Sequence, residues 1–161
     1  MAAFNKFNQF VGDLGTKVIN LNADNVFLLL TNAAPSASDT LVDTTTSTCT
    51  VKSTSNAAEI AAGNGYTKKG TQIGSSAYSQ SSGTGKLTGN AVTFTASGGS
   101  IGPFRYVVIF DDTSGSTSTR SVVGWWDYGS SVTLADGESF KVAADTLGNN
   151  WSSSAPILTI A

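Results

Sequence analysis

The first 22 residues carry a helical spacing of apolar side chains. The apolar residues that recur at intervals of three or four are Phe4, Phe7, Val11, Leu14, Val18 and Leu21, with Phe10 beside them. This spacing predicts a short amphipathic helix or partly helical arm over residues 1–22. Gly12 and Gly15 weaken the helix, because each glycine costs up to about 1 kcal/mol relative to alanine.

The spacing leaves open whether the arm packs on its own domain or reaches a neighbouring subunit. Phe4, Phe7 and Phe10 lie near a chain end, where segments are least often held by their own domain. Left in water, the three rings would form an apolar patch of a kind that a soluble monomer rarely tolerates. We therefore predict that residues 1–12 form the element that contacts other subunits or a docking partner.

The rest of the chain carries the patterns of strands and turns. Residues 26–31 form a continuous apolar run, which favours a strand buried on both faces. Residues 91–96 alternate apolar and polar side chains, as a half-buried strand does. The runs 104–110 and 121–128 are apolar almost throughout and predict two strong strands, and the glycine-rich residues 98–103 predict a loop.

Weaker patterns add further strands. The Thr- and Ser-rich residues 39–55 predict one or two edge strands or a mobile loop. Residues 77–81 predict a weak strand, and residues 156–161 predict a terminal strand.

A hairpin is predicted at the pair Asp136-Gly137, which separates two alternating runs at 132–134 and 139–143. With it, the chain holds seven to nine short strands spaced by about ten residues. This spacing predicts an all-β fold, a β-sandwich or Greek-key barrel of antiparallel strands preceded by the short N-terminal helix or arm. The β domain is expected to be single and to cover residues 23–161.

The composition of the chain excludes several classes of protein. The chain has 11 acidic and 9 basic residues and no histidine, and only 12% of its residues are charged. Small uncharged residues are abundant in place of charged ones: the chain has 22 serines, 21 threonines and 17 glycines. Two glutamates are too few for a coiled coil, and nine scattered cations do not predict a nucleic-acid partner. Without histidine, the commonest general base and metal ligand are missing.

The sequence also bears on the compartment. The N-terminal residues lack the apolar core of a signal peptide, and the longest apolar run, 26–30, is too short to cross a bilayer. Cys49 is the only cysteine and cannot form an internal disulfide, so we interpret it as a small strand residue. We expect a protein that is made in the cytoplasm and has no membrane partner.

Carboxylates are the remaining candidates for catalysis. The acidic residues considered as a hydrolytic pair are Asp111, Asp112, Asp127, Asp136, Glu59 and Glu138. Asp127 follows two tryptophans, whose burial of the carboxyl group would raise its pKa. The segment 111–115 holds too few oxygen ligands for a calcium loop. We therefore expect no catalytic residues, no metal and no cofactor.

The segment Trp125-Trp126-Asp127-Tyr128 is the densest aromatic cluster. Adjacent residues of a strand point to opposite faces, so one tryptophan enters the core and the other lies under a loop, at a subunit contact or on a binding surface. We favour one core residue and one subunit contact. The alternative is an exposed tryptophan that stacks on a sugar ring.

Several blocks, in order along nearly the whole chain, carry a family resemblance. They are AFNKFNQF at 3–10, DLG at 13–15, LLLTNAAP at 28–35, EIAAGNGYT at 59–67, TASGGSIGPFRY at 95–106, GWWDYG at 124–129, LADGESF at 134–140 and LTIA at 158–161. In these blocks the chain resembles a family of small structural proteins found in the virions of tailed bacteriophages. Residues 39–55 and 145–154 look like insertions relative to the shorter loops of that family.

This resemblance implies a non-enzymatic capsid decoration or cement protein. Such a protein would be a homo-oligomer, a trimer in preference to a dimer, that binds the major capsid protein on the head exterior and is assembled in the bacterial cytoplasm. The side chains expected at the interfaces are Phe4, Phe7, Phe10, Trp125, Trp126 and Tyr128. One alternative is a tail or head-fibre module that binds host carbohydrate through an aromatic surface, and another is a carbohydrate-active enzyme.

Overall fold

The computed structural model describes residues 4–142 and 156–160. Its helix and strands, in chain order, are β1 Phe4–Lys6, α1 Asn8–Gly15, β2 Val26–Thr31, β3 Leu41–Asp43, β4 Thr50–Lys52, β5 Ala57–Ala58, β6 Thr71–Gln72, β7 Ala77–Ser81, β8 Thr84–Thr88, β9 Val92–Thr95, β10 Ile101–Asp111, β11 Arg120–Leu134, β12 Ser139–Val142 and β13 Leu158–Ile160.

Three antiparallel sheets form the fold. The largest has eight strands in the order β5-β4-β3-β11-β10-β2-β6, with β1 also paired to β11. The smaller sheets are β12-β9 and β13-β8-β7. The prediction of an all-β sandwich with a short N-terminal helix is therefore confirmed. The described residues contain 13 strands instead of seven to nine, because several, such as β5 and β6, are only two residues long.

The large sheet is buried on both faces. Along β2, Leu28 and Leu30 point into a core that the two small sheets close from the other side. Leu29, between them, points into a second core with Val42 and Val51 from β3 and β4. The prediction of a strand buried on both faces is confirmed, and this double burial explains why residues 26–31 show no alternation of apolar and polar side chains.

The N-terminal segment differs from the predicted helix. Phe4–Lys6 is a strand on β11, and the helix covers only Asn8–Gly15. The helix ends where the Asp13 carbonyl accepts hydrogen bonds from the amides of Val18 and Ile19, at 2.8 and 3.2 Å. The apolar spacing continues to Leu21, but Val18 at 45% exposure belongs to a turn and not to a helical face.

The turn at Asp136-Gly137 forms, but the predicted hairpin does not. β12 pairs with β9 and not with the end of β11, so the turn connects two different sheets. The chain is held in this path because Ala96 donates its amide hydrogen to the Glu138 carbonyl and accepts one from Gly137, both at 2.9 Å.

The weaker strand predictions hold. Strands form within residues 39–55, at 77–81 and at Leu158–Ile160. The loop predicted over residues 98–103 is shorter, because β10 already begins at Ile101, where that residue pairs with Leu134.

Candidate docking surface

The three phenylalanines of the arm are held by their own subunit. Phe7 and Phe10 are fully buried, and Phe4 is half-buried. The Phe7 ring packs on Trp125 at 4.5 Å between centroids, and the Phe4 ring packs on Trp126 at 5.1 Å. The rings therefore pack on their own domain, one of the two arrangements that the spacing left open, while contact of residues 1–12 with another subunit or a docking partner stays a prediction. The pairing of β1 with β11 directs the rings onto the large sheet.

The tryptophans point to opposite faces, as predicted. Trp126 is fully buried in one core, and Trp125, at 9% exposure, belongs to the other. Neither side chain presents the open ring face that a sugar platform needs. Tyr128 is the most exposed of the six predicted interface residues at 36%, and its ring packs edge-on against Phe140 at 5.5 Å.

An apolar depression of about 340 Å³ lies between the arm and the terminal strand. Its floor is formed by partly buried and buried side chains of β1, α1 and β13. The apolar side chains that line it are Phe4, Phe10, Val11, Leu14, Leu158 and Ile160. Val11, at 55% exposure, stands at its rim on the outer face of the helix.

A second depression of about 600 Å³ continues from the first, since Leu14 and Ile160 line both. It runs past the end of α1, along the turn that holds Ile19 and Leu21, to Tyr78 of β7. We call the two depressions together the apolar groove. They form one elongated surface beside α1.

Lysines border the apolar groove. Lys6 lines the first depression and Lys17 lines the second. Lys86 of β8 lies opposite Thr159 in the pairing with β13, and Thr159 lines the first depression. An apolar floor with a basic rim suits recognition of another protein. The sequence signal was present, since Val11 and Leu14 belong to the apolar stripe, but the stripe could not show that Val11 faces outward.

Asp127 forms an ion pair that the sequence did not predict. Arg105 donates two hydrogen bonds to its carboxylate, at 2.7 and 2.8 Å, and the Gly129 amide donates another at 2.8 Å. The Arg105 hydrogen bonds hold the pKa of Asp127 below its usual range, so the pKa increase expected from the tryptophans is wrong. The guanidinium also lies 5.2 Å from the centre of the Tyr106 ring.

Glu59, another of the candidate carboxylates, is a buried structural centre. It accepts hydrogen bonds from the Cys49 amide at 2.6 Å, the Tyr66 hydroxyl at 3.1 Å and the Lys69 amide at 3.0 Å. Burial, together with the negative charge of Glu59, raises the pKa of the Cys49 thiol to about 12. The thiol therefore stays protonated and unreactive at neutral pH. Cys49 directly precedes β4 and packs in the second core.

Asp111 and Asp112 fix the loop that follows β10. Asp111 accepts hydrogen bonds from the amides of Thr113 and Ser114, at 2.7 and 3.2 Å. Asp112 binds the ammonium of Lys69 at 2.9 Å and lies 3.2 Å from Nε of Arg120. Burial raises the pKa of the fully buried Asp111 to about 6.

The described residues contain no group of three or more His, Cys, Asp or Glu side chains that could hold a metal ion.

The raised pKa of Asp111 predicts a pH-dependent effect of Asp111→Asn. Between pH 4 and 6 the unfolded carboxyl group ionises while the folded one resists, so wild-type stability falls as pH rises. The amide keeps an oxygen for the Thr113 and Ser114 amides and carries no charge. We expect the variant to be more stable at pH 7.5 by about 1–3 kcal/mol and nearly equal at pH 4.

Thermal unfolding at both pH values measures this difference. Asp136→Asn is the matched control, because it removes the same charge from an exposed turn. An Asp111→Asn effect that is equal at the two pH values would contradict the assignment.

Comparison with known proteins identifies no relative: no family model, curated protein or solved structure matches the chain. Within the described residues, no helix combines the length and apolar character needed to cross a membrane.

Proposed function

We propose that this chain is a non-enzymatic structural protein of a tailed-bacteriophage virion that decorates the outside of the head and stabilises the shell. The observation that carries the docking role is the apolar groove, whose exposed Val11 and basic rim suit contact with another protein. The bacteriophage assignment is supported by the blocks of sequence resemblance, which extend from residue 3 to residue 161.

In this proposal the partner is the major capsid protein, and the chain acts as a homo-oligomer, a trimer or a dimer. A small oligomer can bridge neighbouring capsid subunits and bury about 1,000–2,000 Å² across each seam. This bridging stabilises the capsid shell through non-covalent contacts alone. The proposal therefore needs no catalytic residue, metal or cofactor. The protein would be assembled in the bacterial cytoplasm and located on the capsid surface.

The competing role is a tail or head-fibre module that binds carbohydrate. It requires an accessible aromatic face, and Tyr128 is the most exposed of the three aromatic residues in that cluster. With both tryptophans packed inside, the aromatic surface is small, whereas the apolar groove is lined by four residues of α1, namely Phe10, Val11, Leu14 and Gly15. The positions of the exposed apolar side chains therefore favour protein docking.

Binding to purified heads tests the proposed function. Expanded heads that lack decoration, prepared from the virion of origin, are mixed with the purified chain and sedimented. We expect co-sedimentation at a fixed ratio to capsid subunits and a higher temperature of shell disruption. Val11→Asp, which places a charge in the groove at an exposed position, should weaken binding without unfolding the protein.

Two results would overturn this role. One is the absence of binding to expanded heads by a protein that is folded by circular dichroism. The other is retention on a host-glycan column with no change in head stability, which would support the fibre module. Turnover of a glycan that Asp127→Asn abolishes would support an enzyme.

A further inference from the structure

Acidic side chains across the described part of the molecule are engaged within the subunit. Every Asp and Glu side chain in residues 4–142 accepts at least one hydrogen bond from the same chain. Near the apolar groove, for example, Asp13 accepts one from the Gln9 amide group at 2.7 Å and packs inward. The chain is acidic overall, with a net charge of −2, yet the acidic side chains of residues 4–142 already have hydrogen-bond donors within the subunit.

Three lysines contrast with this pattern. Lys52, Lys69, Arg105 and Arg120 each pair with a carboxylate, and Lys68 donates to a backbone carbonyl. Within the described residues, the side-chain ammonium groups of Lys6, Lys17 and Lys86 make no ion pair or hydrogen bond. Lys6 of β1 and Lys17 of the turn after α1 line the apolar groove, and Lys86 of β8 lies opposite Thr159, which lines its first depression. Among the described residues, two of these three lysines therefore line one apolar surface, and the third lies on the strand beside it.

The groove also exposes the edge of a sheet. β13 is the last strand of the β13-β8-β7 sheet, and no other strand of the described residues pairs with its outer side. All three residues of β13 line the first depression. An edge strand presents backbone donors and acceptors at the spacing that another extended segment needs, which is the basis of recognition by strand addition.

We propose that the apolar groove binds an extended segment of another protein, in which apolar side chains alternate along the strand and carboxylates flank them. The segment would lie along β13, place its apolar side chains between α1 and β13, and bring its carboxylates to Lys6, Lys17 and Lys86. The identification of this segment as part of the capsid protein rests on the proposed function. The alternation of its apolar side chains and its flanking carboxylates are inferred from the groove alone.

A second copy of this chain fits the groove less well than a different protein does. The occupant must supply free carboxylates, and the described acidic side chains of this chain are already bound within the subunit. Pairing of two copies at this surface would also bring the same three lysines together, and like charges at one interface repel. The charge pattern therefore favours a heterologous partner.

Synthetic peptides provide the test. The probe is a labelled nonapeptide in which five alternating valine and threonine residues lie between two aspartates at each end, and the matched peptide has lysines in place of the aspartates. In fluorescence anisotropy at low salt, we expect the acidic peptide to bind at least about tenfold more tightly, with the difference shrinking as salt rises.

Charge reversal on the protein completes the test. Lys6→Glu and Lys17→Glu should each weaken binding of the acidic peptide by about two- to fivefold, while the matched control Lys141→Glu, exposed on β12, should leave it unchanged. The triple change at Lys6, Lys17 and Lys86 should reverse the preference, so that the basic peptide binds better. Amide exchange should slow at residues 158–160 when the acidic peptide is bound.

The outcomes separate this inference from the proposed function. Equal binding of the two peptides, or no effect of the triple change in a protein with wild-type thermal stability, would overturn the inference about the groove. If the acidic peptide binds as expected but expanded heads do not take up the protein, the groove inference stands and the capsid role falls. If heads take up the protein but the acidic peptide binds no better than the basic one, the capsid role stands and the groove inference falls.

Discussion

Glu59→Ala is expected to destabilise the protein by about 3–5 kcal/mol, a large part of the 5–15 kcal/mol typical of a folded domain. The carboxylate is buried and accepts three hydrogen bonds, from two backbone amides and the Tyr66 hydroxyl. Alanine leaves the Cys49 and Lys69 amides without an acceptor in a place that water does not readily reach. Each unsatisfied buried donor costs about 1–3 kcal/mol.

Urea unfolding of three variants measures this effect. Glu59→Gln keeps the shape but turns one acceptor into a donor, so we expect a smaller loss of about 1–3 kcal/mol. Glu138→Ala is the control, because its carboxylate accepts one hydrogen bond from the Ala135 amide at an exposed turn. A Glu59→Ala variant that loses no more stability than Glu138→Ala would show that Glu59 does not organise this region.

The sequence predicts those parts of the fold in which side-chain pattern and burial agree. β2, β9, β10 and the first half of β11 are apolar or alternating runs, and each lies where its pattern requires. The split of Trp125 and Trp126 between two cores follows from strand geometry alone. Local patterns of this kind depend on two or three neighbouring strands and can be read directly from the chain.

The hydrogen bonds of buried polar side chains could not be predicted in the same way. Asp39 is fully buried and accepts hydrogen bonds from the amides of Ser36, Thr54 and Ser55, which joins the two ends of a Thr- and Ser-rich segment. Although burial opposes ionisation, these hydrogen bonds and that of the Ser55 hydroxyl lower the pKa of Asp39. Two of its partners, Thr54 and Ser55, lie 15 and 16 positions away, a separation that no periodic pattern signals.

The apolar groove could not be predicted for a related reason. The apolar residues of the arm can either pack against the large sheet or remain exposed. The pairing of β1 with β11 decides which of them the sheet covers. Phe7 and Phe10 turn inward, whereas Val11 remains at the rim of the groove. The basic character of the rim arises because Lys6 and Lys17 lie at the two ends of the arm on one surface, and the pairing of β8 with β13 places Lys86 on the neighbouring strand.

Removal of residues 2–10 is expected to unfold the protein and not to release a stable monomer. The deletion takes away β1 and the buried rings of Phe7 and Phe10, and it uncovers Trp125 and Trp126. Burial of each phenylalanine is worth about 1.5–3 kcal/mol, and unfilled space adds to the cost, so the loss approaches the stability of a whole domain. Circular dichroism and urea unfolding of the truncated chain measure the result.

Single substitutions keep this prediction testable if the truncated chain cannot be purified. Phe7→Ala should cost about 3–5 kcal/mol, while Val11→Ala, one helical turn away and exposed, should cost less than about 0.5 kcal/mol. Gly124→Ala tests the strand itself, because an added Cβ would clash with the Phe4 ring and lie 2.6 Å from the Asn5 carbonyl oxygen. β1 would have to move away from β11 to accommodate that methyl group. A truncated protein that stays folded with wild-type stability, or a Phe7→Ala variant no weaker than Val11→Ala, would instead favour an arm that serves a neighbouring subunit.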